Sequence, residues 1–450
     1  MLIELSRGDK WPWPATVFFA FCVCLVLGPR FAAAQQLQID AALAESYFHE
    51  AQATSDHDQG KLWGLELYGP LLFIDPETHA VVANQPDREG KLAPRGGVYV
   101  GNLPIEVFPA NTAVQWAGLN WTVVIWPPPE LRQSRVHLLM HECFHRVAPR
   151  IGLPSGDAAP SHLDQRDGRI WLRMEWRALE KAVWSEGGAR QKAVADALYF
   201  RAFRRSLFHD AAAQENTLEM NEGLAEYTGV KLSTASTQEF AMVTDGVLRQ
   251  ASDRHPNFVR SFAYVSGPAY GLLLDLRGAA WRKGLTSQSD FGAVLARAYG
   301  IVVPAVNKDE AVRRAQAYDG DEVIALETQR DRDRQVKLAS VRQRFINGPV
   351  LAFPVGTHFN FGFDPNRVVS VDENLTVYEG GQVSDAWGVL KAPDGFLIVR
   401  SANGFVRVQV DAPNNPQERP LKGDGWTLEL APGWKLMAGP RPGDLSVKQN

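Results

Sequence analysis

Three consecutive prolines at residues 127–129 constrain the fold more than any other local feature of this sequence. Proline lacks a backbone N–H, so a run of three ends the pairing of any strand that reaches it. Before it, between about 60 and 126, short β-type runs such as LLFI and WTVVI alternate with turn residues. After it, the spacing of apolar residues turns helical from 130 to 346. The chain is therefore predicted to be α+β, with a β-rich part that precedes a helical part.

The composition changes again after the turn Asn347-Gly348-Pro349. Short strand-like runs follow, separated by Gly, Pro and Asn, and the run VRVQV at 406–410 alternates with the period of a half-buried strand. We expect a small separate β domain at 350–450, built as a sandwich or a barrel, after a main domain at 35–346.

The first 34 residues have the pattern of a secretory signal peptide. Basic residues precede an apolar run at 15–27, and Ala32 and Ala34 have the small-x-small spacing that a signal peptidase reads. Thirteen apolar residues are too few to span a bilayer. We predict cleavage after Ala34 and export to the periplasm or the extracellular space as a soluble protein, with no stable membrane insertion afterwards.

Composition limits the classes of partner. The 450-residue chain is 45% hydrophobic and 22% charged, which is typical of a globular protein, and its formal net charge is −4. Without a basic surface, nucleic acid and anionic membranes are poor partners. Two of the three cysteines leave with the leader, so Cys143 has no partner for an internal disulfide.

The helix predicted after the prolines contains the motif His-Glu-Cys-Phe-His at 141–145. At 100° per residue, His141 and His145 lie one above the other, and Glu142 lies at the edge of the same face. Two neutral imidazoles can hold a zinc ion, and the adjacent carboxylate can take a proton from the water that the ion activates. An apolar stripe is expected on the opposite side: Val136, Leu139, Met140, Cys143 and Val147.

A catalytic zinc ion needs a third protein ligand. His137 lies one turn before His141 and is expected to line the cleft or to pack, without a ligand role. The candidates further along the chain are His162, Asp164, Glu175, Glu180, His209, Asp210, Glu222 and Glu226. Glu222 and Glu226 stand out because they lie four residues apart on one helical face of NEGLAEYTG. One of the two could bind zinc while the other accepts a hydrogen bond from a ligand histidine.

These motifs resemble those of the gluzincin metallopeptidases, in which a Glu from a later helix completes His-Glu-x-x-His. NEGLA at 221–225 is similar to the Asn-Glu-Gly-Phe-Ala segment of the zinc aminopeptidases. The resemblance implies a zincin-like catalytic domain, one zinc ion held by His141, His145 and Glu222, and Glu142 as general base. It further implies that Glu226, as in the thermolysin-like branch, orients a ligand histidine.

A third similarity concerns the tyrosine of a Tyr-x-x-Gly segment, which stabilises the oxyanion in the aminopeptidases. The run YVSG gives this role to Tyr264, with Tyr270 as a nearby competitor. The chain departs from the family in two respects. Glu222 follows His145 by 77 residues instead of about twenty, and the sequence has no Gly-x-Met-Glu-Asn segment, the element with which the aminopeptidases hold the free amine of the substrate. Two inserted helices account for the gap. We expect them to cover or narrow the cleft, and they make Glu175 and Glu180 rival ligands.

The sequence thus predicts an exported zinc-dependent metallopeptidase that acts on a peptide or protein substrate. The alternative is an exported zinc-binding protein of weak or absent activity, whose C-terminal β domain docks on a surface polymer or a partner. Trp387, Trp426 and Trp434 are compatible with sugar stacking, although burial in a small β core is the more common role of such residues.

Overall fold

A computed structural model describes residues 39–450, apart from 105–106, 108, 154–155, 157, 159, 255–256, 279, 364–366, 373 and 402–403. The predicted signal peptide and its cleavage site lie outside the described residues. The chain from Ile39 to Asn450 forms one compact unit. Among the described residues, none of the helices combines the length and the apolar character that crossing a membrane requires.

The chain begins with a helix and a six-stranded sheet. Helix α1 (Ala41–Asp58) is capped by Asp40, whose carboxylate accepts hydrogen bonds from the backbone N–H groups of Ala42 and Leu43. The sheet has the order β3-β4-β2-β1-β6-β5, and only the pair β1 and β6 is parallel. The strands are β1 (Leu71–Ile74), β2 (Ala80–Ala83), β3 (Ala93–Arg95), β4 (Val98–Asn102), β5 (Thr112–Trp116) and β6 (Leu119–Ile125).

The predicted β-rich part is confirmed, and β6 ends two residues before the first proline. The sheet encloses its own apolar cluster, which includes Leu72, Val81, Trp121 and Val123. Helix α1 has no counterpart in the sequence prediction. It lies beside the first helix after the prolines, α2 (Arg132–Val147), where Arg135 donates to both carboxylate oxygens of Glu50 at 2.8 and 2.9 Å.

The middle of the chain is helical, as predicted. The further helices are α3 (Arg166–Trp184), α4 (Gly187–Ser206), α5 (Ala211–Leu218), α6 (Leu224–Ser233), α7 (Thr237–Arg254), α8 (Ser261–Leu276), α9 (Phe291–Tyr299), α10 (Lys308–Ala315) and α11 (Gly320–Arg342). The two helices inserted between the motifs are α3 and α4. A π-helical turn, Glu219–Gly223, joins α5 to α6 with no non-helical residue between them, and a second one, Gln343–Asn347, extends α11.

The C-terminal region consists of strands alone. A seven-stranded sheet has the order β17-β18-β7-β14-β13-β10-β9 and a five-stranded sheet the order β15-β16-β12-β11-β8. The strands are β7 (Val350–Pro354), β8 (Asn360–Phe363), β9 (Val368–Ser370), β10 (Leu375–Tyr378), β11 (Gly381–Asp385), β12 (Gly388–Ala392), β13 (Phe396–Ser401), β14 (Gly404–Asp411), β15 (Leu421–Gly423), β16 (Trp426–Leu430), β17 (Trp434–Ala438) and β18 (Leu445–Gln449).

Both sheets contribute to one apolar cluster, in which Phe353 and Ile398 of the larger sheet meet Leu390 and Leu428 of the smaller one. Trp387 and Trp426 are buried in it and Trp434 is half-buried. A second cluster joins this region to the end of α11, since Leu338, Val341 and Phe345 pack against Val371, Val377 and Leu397. The α+β class with an all-β C-terminal region is confirmed, whereas the division into two separate domains stays a prediction.

Candidate metal centre

Helix α2 is largely buried, and it carries the motif His-Glu-Cys-Phe-His at 141–145. The predicted apolar stripe of Val136, Leu139, Met140, Cys143 and Val147 is at most 2% exposed and packs toward the six-stranded sheet. Thr122 of β6 lies 3.9 Å from the Cys143 sulfur. Burial in apolar surroundings raises the pKa of the Cys143 thiol to about 11, which makes it a poor metal ligand. The stripe therefore anchors α2 on the sheet, and the opposite face, with His141 and His145, is left to contact other elements.

Three donor atoms converge on that face. The Nε2 atom of His141 lies 3.1 Å from Nε2 of His145 and 3.5 Å from Oε2 of Glu222, and the last two atoms are 3.3 Å apart. A tetrahedral ion with bonds of about 2.0–2.1 Å to nitrogen and oxygen holds its ligand atoms ~3.3 Å apart. The donor set and its spacing therefore fit a zinc ion. Two imidazoles and one carboxylate are also the set found at catalytic sites that keep a fourth position for water.

The second ring nitrogen of His141 is held by Glu226. Nδ1 lies 2.8 Å from Oε2 of that carboxylate, which can only accept, so Nδ1 carries the proton. This contact leaves Nε2 directed at Glu222 and His145, the tautomer that a metal requires. The structure thus brings Glu226 to the atom that the resemblance implies it orients.

The charges of this group are strongly coupled. Burial disfavours the charged ring of His141, but hydrogen bonds to Glu222 and Glu226 outweigh it and raise its pKa to about 10. Burial also acts against the ionised Glu226, yet the contacts from His137 and His141 lower its pKa to about 2. The pKa of Glu222 is lowered as well, because hydrogen bonds from both motif histidines exceed the effect of burial. A metal at this site has to replace a proton on His141.

Glu142 lies at the same centre as a buried carboxylate. The residue is 5% exposed, and its Oε2 atom is buried with no hydrogen-bond partner among the described residues. Buried carboxylate oxygens are normally satisfied, so an orphan at this position is expected where water or a ligand supplies the partner. Burial raises the pKa of Glu142, and the nearby His141 and His145 partly oppose that effect. The raised pKa makes the carboxylate a better proton acceptor.

Tyr264 reaches the same centre from α8. Its hydroxyl donates to Oε2 of Glu222 at 2.5 Å, and its ring is stacked on that of His141 with centroids 5.5 Å apart. Burial and the charge of Glu222 raise the pKa of Tyr264, so the phenol stays a proton donor. Tyr270 lies elsewhere, since it is fully buried and donates to Glu175 at 2.7 Å. Of the two tyrosines, the structure brings only Tyr264 to the candidate centre.

The π-helical turn sets the position of Glu222. Such turns are rare within helices and concentrate at functional sites. Two contacts hold the turn in place. Arg201 of α4 donates to both carboxylate oxygens of Glu219, at 2.8 and 2.5 Å. On the other side, Gly267 of α8 packs so closely that an added Cβ would lie 2.6 Å from the Cα of Gly223. The close approach of α8 brings Tyr264 within reach of Glu222.

Glu175 and Glu180, the two rival ligands, lie outside the metal group, which consists of His141, His145 and Glu222. Glu175 is fully buried and accepts from Arg204 at 2.5 Å in addition to Tyr270. Glu180 forms an ion pair with Arg249 at 2.7 Å. Arginine partners satisfy both carboxylates, and neither is among the residues that could hold a metal together with His141 and His145.

The other candidates are also engaged elsewhere. His162 contacts the buried Glu215 at 2.8 Å, and Asp164 accepts from Arg330 at 2.5 Å. His209 and Asp210 pair with each other on the surface. Of the carboxylates and histidines beyond residue 146 that the sequence analysis considered, the structure brings Glu222 and Glu226 to the motif.

The centre opens into a cleft of about 200 Å³ between β5, α2, the π-helical turn and α8. The lining residues are Asn111, Thr112, Ala113, His141, Glu142, His145, Asn221, Glu222 and Tyr264. A wider hollow of about 460 Å³ extends to His137 and shares four lining residues with the cleft: Asn111, His141, Glu142 and Tyr264. The cleft wall from β5 was not identified in the sequence, because strand alternation does not reveal which strand lies at the edge of a sheet.

The inserted helices do not line this cleft, contrary to expectation. Helix α3 packs against the far side of α8, where Trp176 donates to Ser266 at 2.9 Å and Glu175 meets Tyr270. No described residue of α3 or α4 is among those that form the cleft. The physical reason is that both helices carry large apolar and charged groups that are buried together in the helical interior, so they form a support behind α8.

Comparison of the chain with known protein families, with curated proteins and with solved structures finds no significant match.

Proposed function

We propose that this protein is an exported zinc-dependent metallopeptidase. The observation that carries the proposal is the convergence of His141 Nε2, His145 Nε2 and Glu222 Oε2 at 3.1 to 3.5 Å, together with a buried oxygen of Glu142 that has no partner in the described part of the chain. Structural zinc sites have no need of a buried free base. This combination therefore favours hydrolysis over a purely structural metal.

His141, His145 and Glu222 would hold the zinc ion, with Glu226 fixing the tautomer of His141. When bound, zinc supplies Lewis acidity, which lowers the pKa of a water molecule and polarises a carbonyl group. Glu142 takes a proton from the attacking water while the water oxygen bonds to the carbonyl carbon. The same carboxyl group then gives that proton to the amide nitrogen as the C–N bond breaks. Tyr264, whose hydroxyl donates to Glu222 in this structure, would exchange that hydrogen bond for one to the oxygen that gains negative charge.

The cleft wall supports a peptide as the substrate. Strand β5 is the edge of the six-stranded sheet, and its start, Thr112 and Ala113, lines the cleft together with Asn111. The outer N–H and C=O groups of an edge strand can pair with an extended chain. A peptide that pairs with β5 would run along the cleft past Glu142, and its amide bonds would pass the proposed zinc site.

Metal analysis and one substitution test the proposal. We expect about one zinc per chain and hydrolysis of an unstructured peptide that a chelator abolishes and zinc restores. Glu142→Gln keeps the size of the side chain, removes the base and should lower kcat roughly 10²–10⁴-fold with zinc still bound. Glu180→Gln is the matched control, because it removes a carboxylate outside the metal group.

Three outcomes oppose the proposal. A purified protein without stoichiometric zinc excludes the metal role, and a hydrolysis unchanged in Glu142→Gln excludes the assigned base. Stoichiometric zinc with no cleavage of any peptide in a broad panel would favour the alternative of a zinc-binding protein with little activity. Export rests on the leader sequence and is tested separately by N-terminal sequencing of the mature protein, for which we expect Gln35 as the first residue.

A further inference from the structure

His137 lies one helical turn before His141 on α2, and it contacts the carboxylate that holds the motif. Its Nε2 atom lies 3.0 Å from Oε1 of Glu226, while Oε2 of the same carboxylate meets Nδ1 of His141 at 2.8 Å. The two oxygens of Glu226 are thus each occupied by one imidazole of the same helix. The Glu226 side chain is 13% exposed, so water has little access to it.

The neighbouring helix leaves space for this arrangement. Gly229 of α6 stands one turn after Glu226, and an added Cβ at that position would lie 2.6 Å from the backbone oxygen of His137 and 3.1 Å from its Nε2 atom. The His137 ring therefore lies where any residue larger than glycine at 229 would collide with it. The contact between His137 and Glu226 depends on a specific close approach of α2 and α6.

The contact has a mechanical consequence for the metal centre. A carboxylate held at one oxygen can rotate about its last bond, whereas one held at both oxygens has a fixed plane. Removal of the His137 ring would leave Oε1 of Glu226 without its described contact in a mostly buried position, which costs free energy unless the carboxylate turns. Rotation would lengthen or break its hydrogen bond to Nδ1 of His141, and the direction of Nε2 would change with it.

We infer that His137 is a positioning residue of the metal centre, which acts through Glu226 to hold His141 in its metal-binding orientation. The inference rests on the proposed zinc site and extends it to a residue to which neither the motif nor the resemblance assigns a role. His137, Glu226 and His141 also have the ligand types for a cation of their own. Nδ1 of His141 would then have to give up its proton, which the adjacent contact with Glu226 opposes.

The test uses the full chain and two variants of His137. His137→Leu removes the ring nitrogens, and His137→Gln keeps an N–H donor near the position of Nε2. Zinc affinity is measured by competition with a chromogenic chelator, and the visible absorption of the cobalt-substituted protein reports the ligand geometry. We expect His137→Leu to weaken zinc binding about 10–100-fold and to alter the cobalt spectrum. His137→Gln should recover most of the affinity and the spectrum of the unchanged protein.

His162→Leu is the matched control, because it breaks a contact of 2.8 Å between a histidine and a buried glutamate away from the metal group. It should lower the unfolding temperature and leave zinc affinity and the cobalt spectrum unchanged. If His137→Leu lowers the unfolding temperature alone, with affinity and spectrum intact, the residue is structural and the inference is overturned. A second zinc equivalent that disappears in His137→Leu would overturn it too, in favour of a second ion.

Failure of the proposed function gives a different result. If the unchanged protein binds no zinc, then the metal centre itself is wrong. If it binds one zinc with an affinity and a spectrum that His137→Leu leaves unaltered, only the role of His137 is excluded.

Discussion

Gly267 offers the sharpest test of how the candidate centre is assembled. At this position α8 touches the π-helical turn, and a Cβ would lie 2.6 Å from the Cα of Gly223 and closer still to its carbonyl oxygen. Carbon atoms in contact are normally ~3.5–4.0 Å apart, so Gly267→Ala requires the two segments to separate by roughly 1 Å. The atoms in the way belong to the backbone, and no rotamer change can relieve the collision.

The magnitude follows from two opposing effects. Alanine gains up to about 1 kcal/mol over glycine within a helix. Overpacking of a filled interior costs about 1–3 kcal/mol or more, and here it acts on backbone, so the upper end applies. We expect Gly267→Ala to lower the free energy of unfolding by about 2–3 kcal/mol. Separation of the segments would also move Tyr264 away from Glu222, and a displacement near 1 Å can cost ~10²-fold in rate.

Gly246 provides a control with the same substitution and the opposite sign. It lies within α7, and a Cβ there would meet nothing within 4 Å. Gly246→Ala should raise the free energy of unfolding by about 0.4–1 kcal/mol, because only the helix preference changes. Urea unfolding of both variants, followed by far-UV circular dichroism, measures the difference. If Gly267→Ala proves as stable as Gly246→Ala, the close packing of α8 against the π-helical turn is refuted.

Three further predictions concern protons and metal. Because the pKa of His141 is raised to about 10 without metal, zinc uptake near pH 7 should release about one proton, and the affinity for zinc should rise about tenfold per pH unit. Calorimetry in buffers of different ionisation enthalpy measures the proton release. An affinity for zinc that does not depend on pH would contradict the prediction. The charges of Arg201 and Arg205 outweigh burial and lower the pKa of Asp290 to about 2, against ~3.9 in an unfolded chain. The ionised Asp290 carboxylate therefore stabilises the folded protein above about pH 4, and this stabilisation is lost as the pH falls toward 2. The free energy of unfolding should fall by about 1–2 kcal/mol over that range, and acid titration of Asp290→Asn should lack this loss. Cys143 is fully buried and its pKa is raised to about 11, so a thiol reagent should label it only in urea. Rapid labelling of the native protein would contradict the packing of α2 described above.

The parts of the structure that depend on local pattern were predictable from the sequence. Strand alternation, the prolines at 127–129 and the periodicity of α2 each act within a few residues, and they located the β-rich part, the helical part and the apolar back of the motif helix. Glu222 was separable from seven other candidates because its flanking residues form a motif. The geometry of helix α6 then brings Glu226 to the same centre one turn later.

The parts that depend on tertiary packing were not predictable. Arg201 and Arg204 of α4 are typical of a solvated helix face in sequence, yet both are buried against Glu175, Glu215 and Glu219. A charged group can enter the interior only when partners from distant segments meet it there, and no local pattern reports such partners. For the same reason the place of α3 and α4 behind α8, instead of over the cleft, follows from contacts that only the folded chain contains.

The end of α11 bears on how this chain could have been assembled or could be divided. Leu338, Val341 and Phe345 belong to a helix, but their neighbours Val371, Val377 and Leu397 belong to the C-terminal β region. A break near residue 347 would open this apolar seam on both sides at once. Recombination that transfers the strands without the last turns of α11 would leave two exposed apolar surfaces that favour aggregation. An exchangeable unit therefore has to begin inside the helix, upstream of Leu338.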